Sequence, residues 1–303
     1  MILTYPQGQQ VDVQFDEKAH TYVVAHKLTD GEFSDYRPTH GITAPLVVVP
    51  KAFIKKWVAK EVCRAALEFV ASHPDMDAEY FAEMLNDLDL YESKAKDEVT
   101  GKTLVTYYRI NKKYPFLKWI KAAPDRKATD GKEFGTWLHK AIEQYYKSDR
   151  KDMPILTPEV QGMWDSFITF DNYHKPVPDN DGLEFLVYSL LYGYSGQGDY
   201  RGYMGGKYCI GDWKSTNRSD FNLEGIDTDY FYQLGGLAQA EFERTGKWPD
   251  DVFIANFDKK SEDPIVVWAS DFGMSPQAAA KCYISCFNNY HMQEFWNYKF
   301  KKR

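Results

Sequence analysis

The sequence predicts an α/β fold, a mixed central β-sheet flanked by helices, joined to a largely helical N-terminal region. Three observations predict it. Residues 183–191, 196–203 and 207–214 read as consecutive strands, the last two joined by a tight Gly205-Gly206 turn that leads into the apolar run Tyr208-Cys209-Ile210. Helical periodicity brackets them at 131–147 and 228–245. A further strand run at 252–257 completes the order helix, three strands, helix, strand, which is an α/β order.

Each element has its own signal. Residues 1–30 read as a hairpin, with imperfect alternation in His20-Thr-Tyr-Val-Val. Helices are expected at 51–70, 76–92 and 104–121. The second falls in a stretch, Asp75 to Glu98, with 9 acidic and 2 basic residues, which reads as a solvated acidic helix. In 131–147, Phe134, Leu138, Ile142 and Tyr145 or Tyr146 make the apolar stripe. Thr157-Pro158 opens a helix to about 172, with Thr as N-cap and Pro at N1. Gly205-Gly206 marks the tight turn between two strands, because glycine tolerates positive φ. The helix at 228–245 stops near Gly246, a strand at 264–268 follows the one at 252–257, and Ser275-Pro276 opens a C-terminal helix. Lys299 to Arg303 forms a basic tail. Three regions follow: 1–130, hairpin and helices; 131–270, the core; and 271–303, a helix and tail packing on that core.

Chemistry concentrates between Ser195 and Thr216, where Asp199, Asp212 and Lys214 stand in the pattern D-x12-D-W-K. Alternate strand residues share a face, so Asp212 and Lys214 point one way and Trp213 the other. Asp199, on the preceding strand, is near enough to share a cation with Asp212. Carboxylates without soft ligands suit Mg²⁺ or Mn²⁺. Such ions polarise a phosphate oxygen and lower the pKa of bound water, while Lys214 neutralises charge in the transition state. The plainer alternative is an exposed hairpin with weak cross-strand ion pairs. In the upstream helix, His139 and Glu143 are four apart and share a face, and Gly135 leaves room for close approach one turn earlier. An ordinary surface His–Glu pair has the same pattern. Gln233, in the downstream helix, is placed to reach a nucleic-acid backbone or a metal-bound water, or to pack between helices.

Taken in order, G-T-x-L-H at 135–139, Glu184, S-G-x-x-D at 195–199, D-W-K at 212–214 and Gln233 resemble the RecB-type branch of the PD-(D/E)xK nuclease superfamily. The likeness is greatest to exonucleases of the mitochondrial genome-maintenance kind and their phage and bacterial relatives. Thr39-His-Gly-Ile-Thr43 is loosely similar to the S-V-T segment near the start of such proteins, which a helix, here containing Trp57, follows. The resemblance covers about 35–260 and is specific over about 135–240. It implies a restriction-endonuclease-like core. It implies that His139, Glu184, Asp199 and Asp212 bind metal, with Ile210 or its carbonyl assisting, that two ions are held, that Lys214 is the catalytic lysine and that Gln233 supports it. One position departs: where the family often has a tyrosine four residues after the helix glutamine, this chain has Leu237.

The net charge of −7 argues against a nucleic-acid partner until its distribution is considered. Residues 102–151 hold 13 Lys or Arg against 5 Asp or Glu, interleaved with aromatics. Lys112, Lys113, Arg126 and Lys127 are candidate phosphate contacts, and Trp119, with Tyr232 further on, a candidate stacking platform for unpaired bases. A solvated helical face with core aromatics would look the same. Cys63, Cys209, Cys282 and Cys286 lack the spacing of an iron–sulfur cluster, so none is expected, and they read as reduced thiols. No membrane span or signal peptide is apparent, so a cytoplasmic setting in a bacterial cell or phage-infected host is expected. The expected function is a metal-dependent DNA exonuclease acting on single-stranded or free ends in replication, recombination or repair, with proteins of those processes as partners. A structure-selective or restriction-type endonuclease and a non-catalytic nucleic-acid-binding module are the alternatives.

Overall fold

The computed structural model describes residues 1–16, 19, 21–48, 52–74, 76, 79–80, 91–96, 103–109, 115–215, 228–259 and 261–301. The chain divides into two compact units, one of residues 1–50 with 133–303 and one of residues 51–132. The first fifty residues therefore belong with the sheet that carries the strands at 183–214.

That sheet has nine strands. Strands β1 (Ile2–Thr4), β2 (Gln10–Asp16), β3 (Thr21–His26) and β4 (Arg37–Gly41) form an antiparallel run. In the second unit, β5 (Tyr91–Lys96) and β6 (Thr103–Arg109) make a separate two-stranded sheet. The large sheet continues with β7 (Val177–Tyr188), β8 (Tyr194–Met204), β9 (Lys207–Lys214), β10 (Asp251–Asn256) and β11 (Ile265–Trp268). Its order is β1-β2-β3-β4-β8-β9-β10-β11, with β7 also paired to β8. The β4–β8 and β9–β10 pairs are parallel and the others antiparallel, so the sheet is mixed.

Two helical layers cover the large sheet. On one face Leu138, Ile142, Trp164, Phe167 and Phe170 pack with Tyr200, Trp213 and Phe253. They come from helices α3 (Ala123–Lys147) and α4 (Pro158–His174). On the other face Leu234, Leu237 and Tyr283 pack with Phe185, Ile210 and Ile254. They come from α5 (Thr228–Thr245) and α6 (Pro276–Lys301). A Cβ at Gly235 would sit 2.3 Å from the carbonyl carbon of Ala279, so the glycine lets these two helices touch backbone to backbone. Trp213 is 1% exposed, and its truncation to alanine should cost about 3–5 kcal/mol.

In the second unit, α1 (Ala52–Ser72) packs with α2 (Pro115–Lys121). Here the sequence reading needs correction. Residues 103–109, expected to be helical, form β6, because Thr-Leu-Val-Thr-Tyr-Tyr favours a pleated, half-buried setting. The helix begins only at Pro115, which is suited to a first helical turn. Most of the acidic helix expected at 76–92 lies outside the described residues, and its last two positions belong instead to the strand Tyr91–Lys96, which pairs Glu92 with Tyr108 and Lys94 with Thr106. The hairpin expected at 1–30 is a run of three strands, and β4 at Arg37–Gly41 was not expected; other differences are in boundaries. α3 starts at Ala123 and not at 131, β7 starts at Val177 and not at 183, and α6 continues through most of the expected basic tail.

Candidate metal centre

The central strand β8 has β7 along one edge and two partners on the other. On that second edge β4 pairs at Tyr194 and Ser195, and β9 pairs from Tyr200 to Met204. Between them, residues 196–199 have no strand partner on this edge among the described residues. The β8–β9 register, extended one step beyond its last pair, Tyr200 with Gly211, sets Asp199 opposite Asp212. The strands part there. The Trp213 amide N–H donates to Asp199 Oδ2 at 2.7 Å instead of to a backbone carbonyl. The fork thus exposes backbone donors and turns the carboxylate across the gap.

Glu184 reaches the same place by a break in alternation. Its φ is +48°, a left-handed value uncommon for a residue with a side chain. In a regular strand Leu183 and Phe185 would share a face, yet Phe185 lies in the α5–α6 core and Leu183 packs towards the α3–α4 core. The strain, of order 1–3 kcal/mol, is sustained by surrounding structure. Gln197 donates to Glu184 Oε2 at 2.7 Å and fixes that carboxylate.

His139 comes from α3. Its Nδ1 lies 3.3 Å from Glu184 Oε1 and 3.4 Å from Asp199 Oδ1, while Nε2 is 3.2 Å from the Trp213 carbonyl oxygen. Ligand atoms of His139, Glu184 and Asp199 all lie within 4.8 Å of one another. Glu143, the sequence-level neighbour of His139, pairs instead with Lys147 at 2.6 Å. Gly135 is less constrained than expected: a Cβ there would meet Ser215 Oγ at an ordinary 3.6 Å.

Asp212 and Lys214 complete the cluster. Lys214 Nζ is 2.5 Å from Asp212 Oδ2, a charge-assisted contact that uses one lone pair of this buried oxygen and leaves it further acceptor capacity. The ammonium also sits 4.7 Å from the centre of the Tyr230 ring. Burial and the charge of Asp199 push the Asp212 carboxyl up to about 6, against the pull of Lys214. Burial opposes charge on Asp199 too, but His139 and Lys214 hold its carboxyl below the usual range. For His139 burial disfavours the imidazolium, and Asp199 with Glu184 outweighs it, pushing the ring up to about 11. Without a cation, a proton on His139 and the Lys214 ammonium offset only part of the charge of the three crowded carboxylates.

The other sequence candidates are placed differently. Ile210 buries its side chain in the α5–α6 core, on a strand paired on both sides. Gln233 is half-buried on α5, one turn beyond Tyr230. Tyr232 is half-buried and packs against the α5–α6 core. In the second unit, Trp119 donates its indole N–H to the Ala65 carbonyl at 3.2 Å while staying 39% exposed. Lys112 and Lys113 lie outside the described residues, and only the helical backbone is described at Arg126 and Lys127. Cys209 is fully buried in β9 and Cys286 is buried, whereas Cys63 is exposed.

Three contributors were not anticipated: Gln197, Tyr230 and the main chain of Trp213. Gln197 had a legible signal, since it is two residues from Asp199 on the same strand. Tyr230 and the Trp213 peptide had none, because only the strand fork and the α5 packing bring them in.

Comparison with known proteins adds no assignment: no family model matches the chain and no curated protein matches its sequence. No helix among the described residues is long and apolar enough to cross a membrane.

Proposed function

We propose that this protein is a divalent-cation-dependent deoxyribonuclease, an exonuclease that hydrolyses phosphodiester bonds at DNA ends. One observation carries the reading: three ligand-bearing side chains from three separate elements converge at a strand fork, beside the Asp212–Lys214 pair. Nothing in the packing of a sheet calls for a buried Asp212 opposite Asp199, whose side chain is only 11% exposed, since each loses hydration. A site for a hard cation and a phosphate gives the arrangement a purpose.

The donors fit Mg²⁺ or Mn²⁺, and the imidazole favours Mn²⁺ more than an all-oxygen set would. Asp199 and Asp212 are the residues to bridge or share ions, with His139 and Glu184 completing the set. When bound, the ions supply Lewis acidity and a more acidic water. Asp199 is held in one orientation by the Trp213 amide, and Glu184 by Gln197. Lys214 places a half-buried positive charge beside Asp212, where a phosphate approaching the carboxylates would meet it. Tyr230 faces the same ammonium and limits its movement. An open groove of about 590 Å³ lies on the Glu184 side of the cluster, lined by Glu143, Asp149, Asp179 and Asp181 as well as Lys147 and Arg150, so it offers no basic track for a strand. The family resemblance of these motifs supplies the choice of DNA and of ends.

The test is digestion of 5′-labelled and 3′-labelled oligonucleotides, single- and double-stranded, with Mg²⁺, Mn²⁺ or EDTA. Metal-dependent release of mononucleotides or short products from linear strands is expected, with closed circular single strands resistant. Equal cleavage of circles would establish an endonuclease. Tight DNA binding without cleavage under any metal would leave the non-catalytic alternative.

A further inference from the structure

A second cluster of metal-ligating side chains lies apart from the fork, between β4 and α6. His40 is on β4, beside Tyr194 of β8 in the parallel register. His291 and Glu294 are three apart on α6 and therefore share a helix face. His291 Nδ1 is 3.6 Å from Glu294 Oε2, and His40 Nε2 is 3.9 Å from the same oxygen. Ligand atoms of all three residues lie within 4.8 Å of one another. We infer that His40, His291 and Glu294 form a zinc site that ties the C-terminal helix to the β4 strand.

The donor set selects the metal. Two imidazoles and one carboxylate suit Zn²⁺, whereas Mg²⁺ and Ca²⁺ prefer sets dominated by oxygen. A tetrahedral ion with bonds of about 2.0–2.1 Å needs donor atoms about 3.3 Å apart. The two separations to Glu294 Oε2, 3.6 and 3.9 Å, require closure by about 0.3 and 0.6 Å, and the two imidazoles, within 4.8 Å of each other, close by at most about 1.5 Å, within reach of side-chain rotation at exposed positions. The three side chains are 41%, 38% and 45% exposed, so an ion enters from solvent and a water can take the fourth position.

The surroundings also hold the ligands in place. The His40 and His291 rings meet edge to face with centroids 4.8 Å apart. Tyr290 packs edge-on against both, at 5.7 and 5.6 Å, and Phe287 lies 4.3 Å from His291. Tyr290 lies four residues before Glu294 on the same helix face, placed to support a ligating carboxylate from outside the metal's shell. A solvated ion-pair cluster has no need of this aromatic collar.

The experiment uses the full chain with Zn²⁺, in competition with a chromophoric chelator, and Co²⁺ as a spectroscopic substitute. Because the fork holds carboxylates and a histidine, Asp199→Asn serves as the background that weakens that centre. In that background one Zn²⁺ should still bind and raise the melting temperature. His291→Ala and, separately, Glu294→Gln should each weaken this binding about 100-fold, as expected for one lost ligand of three. Co²⁺ should give tetrahedral visible bands without a thiolate charge-transfer band, which excludes Cys282 and Cys286 as the ligands. Unchanged Zn²⁺ stoichiometry and affinity in both variants would overturn the inference, as would a thiolate band. Glu294→Gln, at an exposed position, keeps the test decisive should His291→Ala fail to fold.

Discussion

Two polar clusters sit on the same pair of strands and have opposite fates. At the fork, Asp199 and Asp212 face His139, Glu184 and Lys214. Two residues further along β8, Arg201 turns to Glu241 of α5, which is fully buried. Glu241 is saturated: Arg201 donates to it at 3.2 Å, Arg244 at 2.9 and 2.6 Å, and the Tyr208 hydroxyl at 3.0 Å. Asp179 lies 3.7 Å from Arg201, and the guanidinium covers the Phe185 ring. There the carboxylate has a full set of donors and no space for a ligand. At the fork three carboxylates share one imidazole and one ammonium, and a buried Asp212 oxygen retains acceptor capacity. Buried charge is therefore not itself a sign of function. Excess like charge with unspent acceptors is the sign.

The comparison breaks most sharply on activity. Asp199→Ala or Lys214→Ala should reduce single-turnover cleavage by about 10²–10³-fold or more, the scale of losing a preorganised catalytic charge. For Lys214→Ala, DNA affinity in Ca²⁺ should change far less. A variant that binds weakly but cleaves bound DNA at the normal rate would remove Lys214 from the chemistry. Glu241→Gln should do the reverse. It strands two arginines in the interior and should cost about 3–5 kcal/mol of stability by denaturant titration. Cleavage per folded molecule should stay the same, and a selective loss of rate would make the saturated cluster catalytic.

Metal binding should carry a proton signature. The folded His139 pKa, about 11, lies above the usual 6.5, so its protonated form stabilises the metal-free protein fully below pH 6.5. That contribution is lost as pH rises towards 11. A cation that displaces the proton should gain up to about tenfold in affinity per pH unit within this window. Calorimetry in buffers of different ionisation enthalpy reads the released proton, and a buffer-independent enthalpy would show that His139 is not a ligand.

Smaller effects test the supports. Gln197→Ala frees Glu184 and should weaken Mn²⁺ binding about tenfold while leaving the fold intact, since an outer contact orients the ligand. Metal affinity equal to that of the unsubstituted chain would mean that the left-handed backbone at Glu184 suffices. Tyr230→Leu should slow cleavage by about 2- to 30-fold, the value of a cation–π contact of about 0.5–2 kcal/mol. A loss as large as that of Lys214→Ala would assign Tyr230 a direct role.

The sequence by itself determined the strand–turn–strand unit through Gly205-Gly206, with φ of +59° and +81°, and the facing of Asp212 and Lys214 against Trp213. It also determined the helix that presents His139, because period-2 and period-3.6 patterns are local properties. It misjudged 103–109, where aromatic and β-branched residues carry both patterns and the partner strand decides. Only the tertiary structure decided where those side chains meet. The gap in pairing at 196–199 depends on β4 and β9 sharing one edge of β8, a long-range fact with no local trace. Glu184 enters through a left-handed residue inside a strand, which no pattern of side chains announces. The saturated Glu241 and the crowded Asp212 look alike in sequence, each an acid near a base. They differ because hydrogen-bond saturation is set by the number of donors that the fold gathers around a carboxylate, and elements distant in sequence supply those donors.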